Sequence, residues 1–282
     1  MTTRRTTSSV VLYPAIDLDL ARRLERAEAA ANARFVEARA TTDPTRGACW
    51  REVRGTWAMF DGVGSPLTQT FGLGMSEAPD AAMLDVLEAF FRERGAAVEH
   101  EVSPLALGEP LGLLSARGYV PIELTSVMCR PAAALEHEAP SAPGLPARAI
   151  DGAALGAAWA DASADGWSEF PDIVPFVRDI GNLFTRTANT RCFVAEADGV
   201  IAATGVLAVH EGVAVLAGAS TRPAFRRRGA QLAMLGARLQ LAREDGCDVA
   251  MMCARPGSAS HRNAERRGFR VAYTRIKWRL QR

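Results

Sequence analysis

The sequence predicts an α/β protein built from two copies of one unit, each a mixed sheet with helices on its faces. Three observations carry that reading. In the second half, apolar runs and amphipathic stretches alternate in the order βααβββαβαβ, the pattern of a mixed sheet with helical crossovers. The last four of those elements recur about 150 residues earlier, and the glycines that close their helices are spaced alike: Gly95 to Gly118 is 23 residues and Gly246 to Gly268 is 22, with an aromatic (Tyr119, Phe269) after the second glycine each time. Between the copies lies PAAALEHEAPSAPGLPA, where Pro131, Pro140, Pro143 and Pro146 remove backbone donors and the small residues offer little to bury. The predicted division is a first unit over residues 1–130, a linker over 131–146 and a second unit over 147–282.

The elements follow from local chemistry. Asp17–Ala40 reads as an amphipathic helix with Leu20, Leu24, Ala27, Ala31, Phe35 and Ala38 on one face. Ala81–Arg94 is a helix with Met83, Val86, Leu87, Phe90 and Phe91 inward; a strand at Ala97–Leu107, a short helix at Glu109–Arg117 and a strand at Tyr119–Cys129 complete the first copy. In the second copy, Ala147–Ile150 is a strand and Asp151 can cap a helix running to Ala164. Ile173, Phe176, Ile180 and Phe184 mark a helix within Pro171–Thr187. Strands at Arg191–Ala197, Val200–Val209 and Val213–Ser220 are joined at Asp198-Gly199 and Glu211-Gly212. A helix at Gln231–Asp245, a strand at Cys247–Ala254, a short helix at Ser260–Arg267 and a strand at Arg270–Leu280 finish the chain.

Composition narrows the class. The chain has 282 residues, 48% hydrophobic and 23% charged, an ordinary globular balance that argues against disordered, collagenous and coiled-coil classes. Five scattered cysteines without a Cys-x-x-Cys pair argue for reduced buried thiols, and four dispersed histidines give no metal-ligand spacing. The N-terminal apolar stretch is broken by Pro14 and Asp17, too short for a signal peptide, and no run approaches a membrane span; a cytoplasmic protein without membrane contact is expected. The net charge of +1 conceals a split. Residues 221–282 carry fifteen basic and four acidic residues, a net +11, which leaves −10 on residues 1–220. Such asymmetry suggests a polyanionic ligand or a nucleic-acid surface.

One segment carries chemistry. In VAVLAGASTRPAFRRRGAQLAML, residues 213–235, a strand ends, Pro223 forces a turn, and three arginines and a glycine precede a helix. A helix N-terminus presents unpaired N–H groups and a dipole that favours anions, and Gly229 lets a ligand approach the backbone. With Arg226, Arg227 and Arg228 beside it, the segment reads as a diphosphate cradle, or else as a surface turn with solvated arginines. It is neither a Walker loop nor a dinucleotide-binding glycine fingerprint.

On Arg226-Arg227-Arg228-Gly229-Ala230-Gln231 and the strand–helix–strand–helix–Gly-Phe order behind it, the sequence resembles the GCN5-related N-acetyltransferase (GNAT) superfamily. The resemblance covers residues 147–282 well and 15–130 weakly. It implies two tandem domains of the acyl-CoA N-acyltransferase fold, the first degenerate. It further implies that backbone groups of Ala219 and Thr221 hold the pantetheine arm of acetyl-CoA and that N–H groups of Arg227 to Gln231 hold its pyrophosphate. Gln231 departs from the family pattern, so its side chain either donates to the pyrophosphate or points away. The tyrosine that commonly protonates the leaving thiolate is replaced by Ala264, with Gly257 and Ser260 at two further motif positions. Asn263, Ser258 or Ser260 could contact the cofactor, and Arg262, Arg266 and Arg267 either face its 3′-phosphate or are solvated. The first copy is short of the arginine–glycine loop, judged from Met75–Met83 against Ser220–Met234, and is expected not to bind the cofactor.

The expected activity is acetyl transfer from acetyl-CoA to a primary amine of a small acceptor, or of a peptide, directly in a ternary complex without a metal. Asp165 and Glu169 are candidates for proton acceptor or amine recognition, or are ordinary loop acids; Tyr273 is a candidate acid or a core residue, and Cys253 a buried thiol. The catalytic residues stay unassigned, as do the acceptor and the oligomeric state, a homodimer included. Two other classes remain: a non-catalytic acyl-CoA sensor, suggested by the missing tyrosine, and a nucleic-acid module using the basic C-terminal segment, against which stands the absence of a recognised binding motif.

Overall fold

The structure, a computed structural model, describes residues 12–133 and 145–281. Most of the proline-rich linker and the first eleven residues thus lie outside the described residues. The first half comprises α1 (Leu18–Thr42), β1 (Cys49–Val53), β2 (Thr56–Phe60), β3 (Gln69–Phe71), α2 (Ala81–Arg92), β4 (Glu99–Val102), α3 (Pro110–Ala116) and β5 (Tyr119–Pro131). The second comprises β6 (Ala147–Ile150), α4 (Gly152–Asp165), α5 (Val174–Phe184), β7 (Thr190–Ala197), β8 (Val200–His210), β9 (Val213–Thr221), α6 (Ala230–Glu244), β10 (Val249–Ala254), α7 (Ala259–Arg266) and β11 (Arg270–Leu280).

The helices fall where the apolar periodicity puts them. Asp17 caps α1 by accepting from the Leu20 N–H at 2.8 Å. Strands β1 and β2 have no counterpart in the sequence reading, and β3 ends at Phe71 where a strand end at Met75 is expected. The β1–β2 hairpin turns on Arg54-Gly55, both at positive φ (51° and 81°), so its turn lacks the Asn-Gly or Asp-Gly pair that flags such hairpins.

The strands form one sheet in the order β1-β2-β3-β4-β11-β5-β10-β9-β8-β7-β6. Division at the linker separates the chain but not the sheet. Only β3–β4 and β9–β10 are parallel, each pair joined by a crossover helix, α2 or α6. The final strand of each half sits in the other half's territory: β5 pairs with β10, from Val249↔Pro131 to Ala254↔Ser126, and β11 pairs with β4, from Ile276↔Val102 to Arg279↔Glu99. The two exchanged strands lie side by side, antiparallel, from Arg270↔Cys129 to Leu280↔Tyr119.

Helix α1 joins the halves on one face. Its Leu24, Ala27 and Ala31 pack on Val213, Val215, Val249 and Met251 of the second half, while Ala29, Ala33 and Val36 pack on Met59 and Phe71 of the first. On the opposite face Met234, Leu235 and Leu239 of α6 cover Ala214, Leu216, Ala250 and Met252.

The charge split belongs to this exchange. Arg275, Lys277 and Arg279 of β11 pair with Glu101 and Glu99 of β4, Glu123 of β5, and Glu25 and Glu28 of α1. Arg238, Arg267 and Arg275 are buried. Part of the basic tail is therefore an internal counter-charge.

Two predictions follow from the exchange and from a buried histidine. Residues 1–133 and 145–282 expressed apart should each lack a cooperative melt and should regain one when mixed; a separate cooperative melt of either half by calorimetry would contradict the exchanged sheet. His100 bonds Thr70 Oγ1 at 2.8 Å and Tyr119 Oη at 3.0 Å, at the one β3–β4 register contact. Burial pushes its pKa down to about 3. An unfolded chain gains a proton below about 6.5 that the folded one refuses until about 3, so stability is full above 6.5 and falls as pH drops through that window. The Tm of His100→Gln should fall less steeply than that of the unaltered chain between pH 7 and 4.

Candidate active site

Strands β9 and β10 run together and then part. They pair at three positions, Val249↔Val213, Ala250↔Ala214 and Met251↔Val215. Beyond these, β10 continues to Ala254 with its other edge held by β5, and β9 continues to Thr221. Residues 216–221 thus have no ladder partner on the β10 side, and a wedge opens with β9 backbone groups on its wall. Unpaired strand groups are a template for an extended ligand bearing amides of its own.

A bulge deforms β9 at this point. Thr204 pairs with Ser220 and Val206 with Ala217, so Gly218 and Ala219 oppose Gly205 alone. Gly218 has φ 58°, and a Cβ there would lie 2.9 Å from Val206 Cγ2. Below the bulge Arg238 of α6, 1% exposed, donates Nη1 to the carbonyls of Val206 and Ala217, both at 3.1 Å. Burial lowers its pKa to about 9, which still leaves it charged at neutral pH. A buried cation thus braces the wall of the wedge.

The wall leads into the arginine segment. Arg227 has φ 61° and Gly229, the N-cap of α6, has φ 82°; no side chain caps the helix. Left-handed residues within such a turn aim successive N–H groups into one concavity, and the α6 dipole adds partial positive charge there. Arg227 and Arg228 are exposed, and Arg228 lies over the Phe225 ring at 5.3 Å. An open helix terminus, positive backbone and a free strand edge in sequence suit a long ligand with an anionic end.

Several expected ligand groups prove to be engaged locally. Gln231 donates to Thr221 Oγ1 at 2.8 Å, so its amide folds back onto β9 and its backbone remains the group offered at the helix start. Arg226 reaches the loop between α4 and α5, bonding Gly166 O at 2.9 Å and pairing with Glu169 at 2.7 Å. Arg222 pairs with Asp165 at 3.0 Å. The loop is also pinned by Ser220 Oγ donating to Ser163 O at 2.7 Å. Gly166 is forced by this contact, because a Cβ would come within 1.9 Å of Ser220 Oγ. Asp165 and Glu169 are therefore partners of arginines that fasten the loop to the wedge. Ala219 lies in the bulge, Ala230 is buried in the first turn of α6, and Asn263 accepts from Arg266 at 2.9 Å on α7.

Arg267 is buried, which removes it from a solvent-facing 3′-phosphate role. The motif position held by Ala264 is fully buried and packs near Phe269. Tyr273 donates to Glu25 Oε1 at 2.9 Å in the interior, and burial with that carboxylate raises its pKa well above the usual phenol range. Cys253 is half-buried, and desolvation together with the neighbouring Glu28 carboxylate pushes its thiol pKa up. Among the described residues no cluster of His, Cys, Asp or Glu could hold a metal, and no helix is long and apolar enough to cross a membrane.

The corresponding place in the first half is already filled. Asp80 accepts from the Met83 N–H at 2.8 Å at the start of α2, and Arg54 pairs with Asp80 at 2.8 Å and Glu77 at 2.7 Å. A carboxylate of the chain occupies the position an anion would take. Strand β3 ends at Phe71, not at Met75, so residues 72–80 and 222–229 are connections of similar length and no loop is missing from the first half. The halves differ here by chemistry, not by a deletion.

Residues 156–269 match the model of the Acetyltransferase (GNAT) family. The second half carries a GNAT-family domain. Its fold is that of the acyl-CoA N-acyltransferases, and the family supports acyl transfer and acyl-CoA binding as general classes. Among solved structures, a GCN5-related N-acetyltransferase from Kribbella flavida aligns at 19% identity over 89% of this chain and 95% of its own, with a TM-score of 0.61. A tandem GNAT protein from the clavulanic acid biosynthesis pathway aligns at 12% identity over 95% and 97%, with a TM-score of 0.57. A GCN5-related N-acetyltransferase from Sphaerobacter thermophilus aligns at 18% over 75% and 71%, with a TM-score of 0.51. These likenesses establish the fold, and one of the three is a tandem GNAT protein aligned over nearly all of both chains. A comparison with curated proteins gives no match.

The bulge yields a prediction. Arg238→Met should lower the Tm by several degrees, because the Val206 and Ala217 carbonyls lose a charged donor at a cost of about 1–3 kcal/mol. It should also weaken acetyl-CoA binding by distorting the wedge. A thermal scan and a calorimetric titration of the one variant check both parts.

Proposed function

We propose that the second half is an acetyl-CoA-dependent N-acetyltransferase that acts on a primary amine of a small acceptor by direct transfer in a ternary complex. One observation carries the reading: the parting of β9 from β10, continued into an uncapped helix start at Gly229, makes a path for an extended amide-bearing chain that ends in a diphosphate. Backbone groups of Ala219 and Thr221 would pair with the pantetheine arm, and N–H groups of Arg227 to Gln231 would meet the pyrophosphate. Arg226 serves this site indirectly, by fastening the α4–α5 loop beside it. The first half, its α2 terminus filled by Asp80, takes no cofactor and acts as scaffold and wall.

The chemistry needs an unprotonated amine, a polarised thioester carbonyl and a place for protons. Backbone N–H groups at the bulge can polarise the carbonyl. The nitrogen adds to the thioester carbon, the C–S bond breaks, and the thiolate takes a proton from water, there being no phenol at Ala264.

A second reading, a non-catalytic acyl-CoA sensor, is favoured by the same buried Ala264 and by the engagement of Tyr273 with Glu25. Thiol release from acetyl-CoA across a panel of small amines and amino acids separates the two: turnover supports the enzyme, and binding without turnover supports the sensor. Gly229→Asp places a side chain at φ 82° and a negative charge at the anion site. It should weaken acetyl-CoA binding at least a hundredfold by calorimetry while the far-ultraviolet spectrum stays unchanged.

A further inference from the structure

We infer that Glu28, a residue of the first half, is the proton acceptor for the transfer at the β9–β10 wedge; this rests on the acetyltransferase reading above and deepens it. The need is plain from the second half alone. Neither β9, VAVLAGAST, nor β10, VAMMCA, contains a carboxylate.

Helix α1 supplies what is missing because it crosses the opening. Its Leu24 and Ala27 pack in the cluster that holds the paired stretch of the two strands, Val213, Val215, Val249 and Met251. One turn on, the Glu28 carboxylate lies 3.4 Å from Cys253 Sγ, on the part of β10 that β9 has already left. Two turns further, Phe35 packs edge-on against Phe184 at 4.7 Å. The Phe184 ring in turn lies 3.1 Å from where a Cβ on Gly218 would be, at the bulge of β9. Between a contact with β10 and a contact above β9, α1 roofs the wedge on the face opposite α6.

Glu28 is also the most exposed of the three carboxylates on Arg275. Its side chain is 15% exposed, against 2% for Glu25 and 7% for Glu101. The groups that face it are Arg275 of β11 at 2.6 Å, Cys253 of β10, Glu25 of α1 and, across Arg275, Glu101 of β4 with Lys277 behind it and Tyr273 on Glu25. Arg275 is shared among three carboxylates and holds Glu28 in place. In the transfer a proton moves from the attacking nitrogen to Glu28, and water then carries it away. In the same step the N–C bond forms, the C–S bond breaks and the thiolate is protonated by water, so charge and atoms balance.

The test uses the full chain and the best amine from the panel. Glu28→Gln keeps size and the Cys253 contact. It should bind acetyl-CoA within threefold of the unaltered chain, lose kcat about a hundredfold, and lose the acidic limb of the kcat/KM pH profile, since only the ionised carboxylate accepts a proton. Glu28→Asp should restore at least a tenth of the rate together with that limb. Glu25→Gln, which shares the Arg275 contact but is sealed from the wedge, should lower the Tm and leave the pH profile in place. Full turnover with an unaltered profile in Glu28→Gln overturns the proposal and leaves the acetyltransferase reading standing. So does an equal loss of the acidic limb in Glu25→Gln, which would make the cluster merely structural. If the unaltered chain binds acetyl-CoA but serves none of the amines, the amine-transfer reading falls and the proposal falls with it.

Discussion

The structure depends on one strand, β11, lying between two strands of the other half. Its ladder to β5 and β4 closes the first half's sheet with the last residues of the chain, while β5 closes the second half's. The interlock is also electrostatic. Arg275 is buried among Glu25, Glu28 and Glu101, and removing one partner of such a set typically costs about 3–5 kcal/mol by leaving charge uncompensated. Neither half could expose that cluster cheaply, so the halves form one unit. The same constraint fixes α1 over both cores and so brings a first-half helix across the second half's wedge.

The wedge is the functional consequence of a mismatch between strands. A parallel pair that stayed in register would satisfy its own backbone and bind nothing. Here the bulge at Gly218 and Ala219 ends the agreement, and Arg238 stabilises the carbonyls it disturbs. The first half keeps the general layout but closes its helix start with Asp80, itself countered by Arg54. The two helix starts thereby differ: α2 is capped by an acid of the chain and α6 by no side chain.

Much of this was legible in the sequence. The helices and long strands announced themselves through periodicity, and the repeat through Gly118-Tyr119 and Gly268-Phe269, because each element buries one regular stripe. The turn at 222–229 was readable because Pro223 fixes its own φ and Gly229 supplies the positive φ at the helix start. The strands at residues 49–71 were not, since they are short and turn on Arg54-Gly55. The exchange was invisible for a different reason: a strand's pattern shows that it pairs, not with which partner. Charge did contain the answer, because the −10 and +11 segments meet along β11, but it read as a sign of an external polyanion. Glu28 was missed because its role depends on a helix some 225 residues away from Cys253 in the chain.

The central claim is that a duplicated fold carries a single donor site, in its second half. Calorimetric titration of the full chain with acetyl-CoA measures this most directly. The account predicts one molecule bound per chain; two per chain, or none, would contradict it.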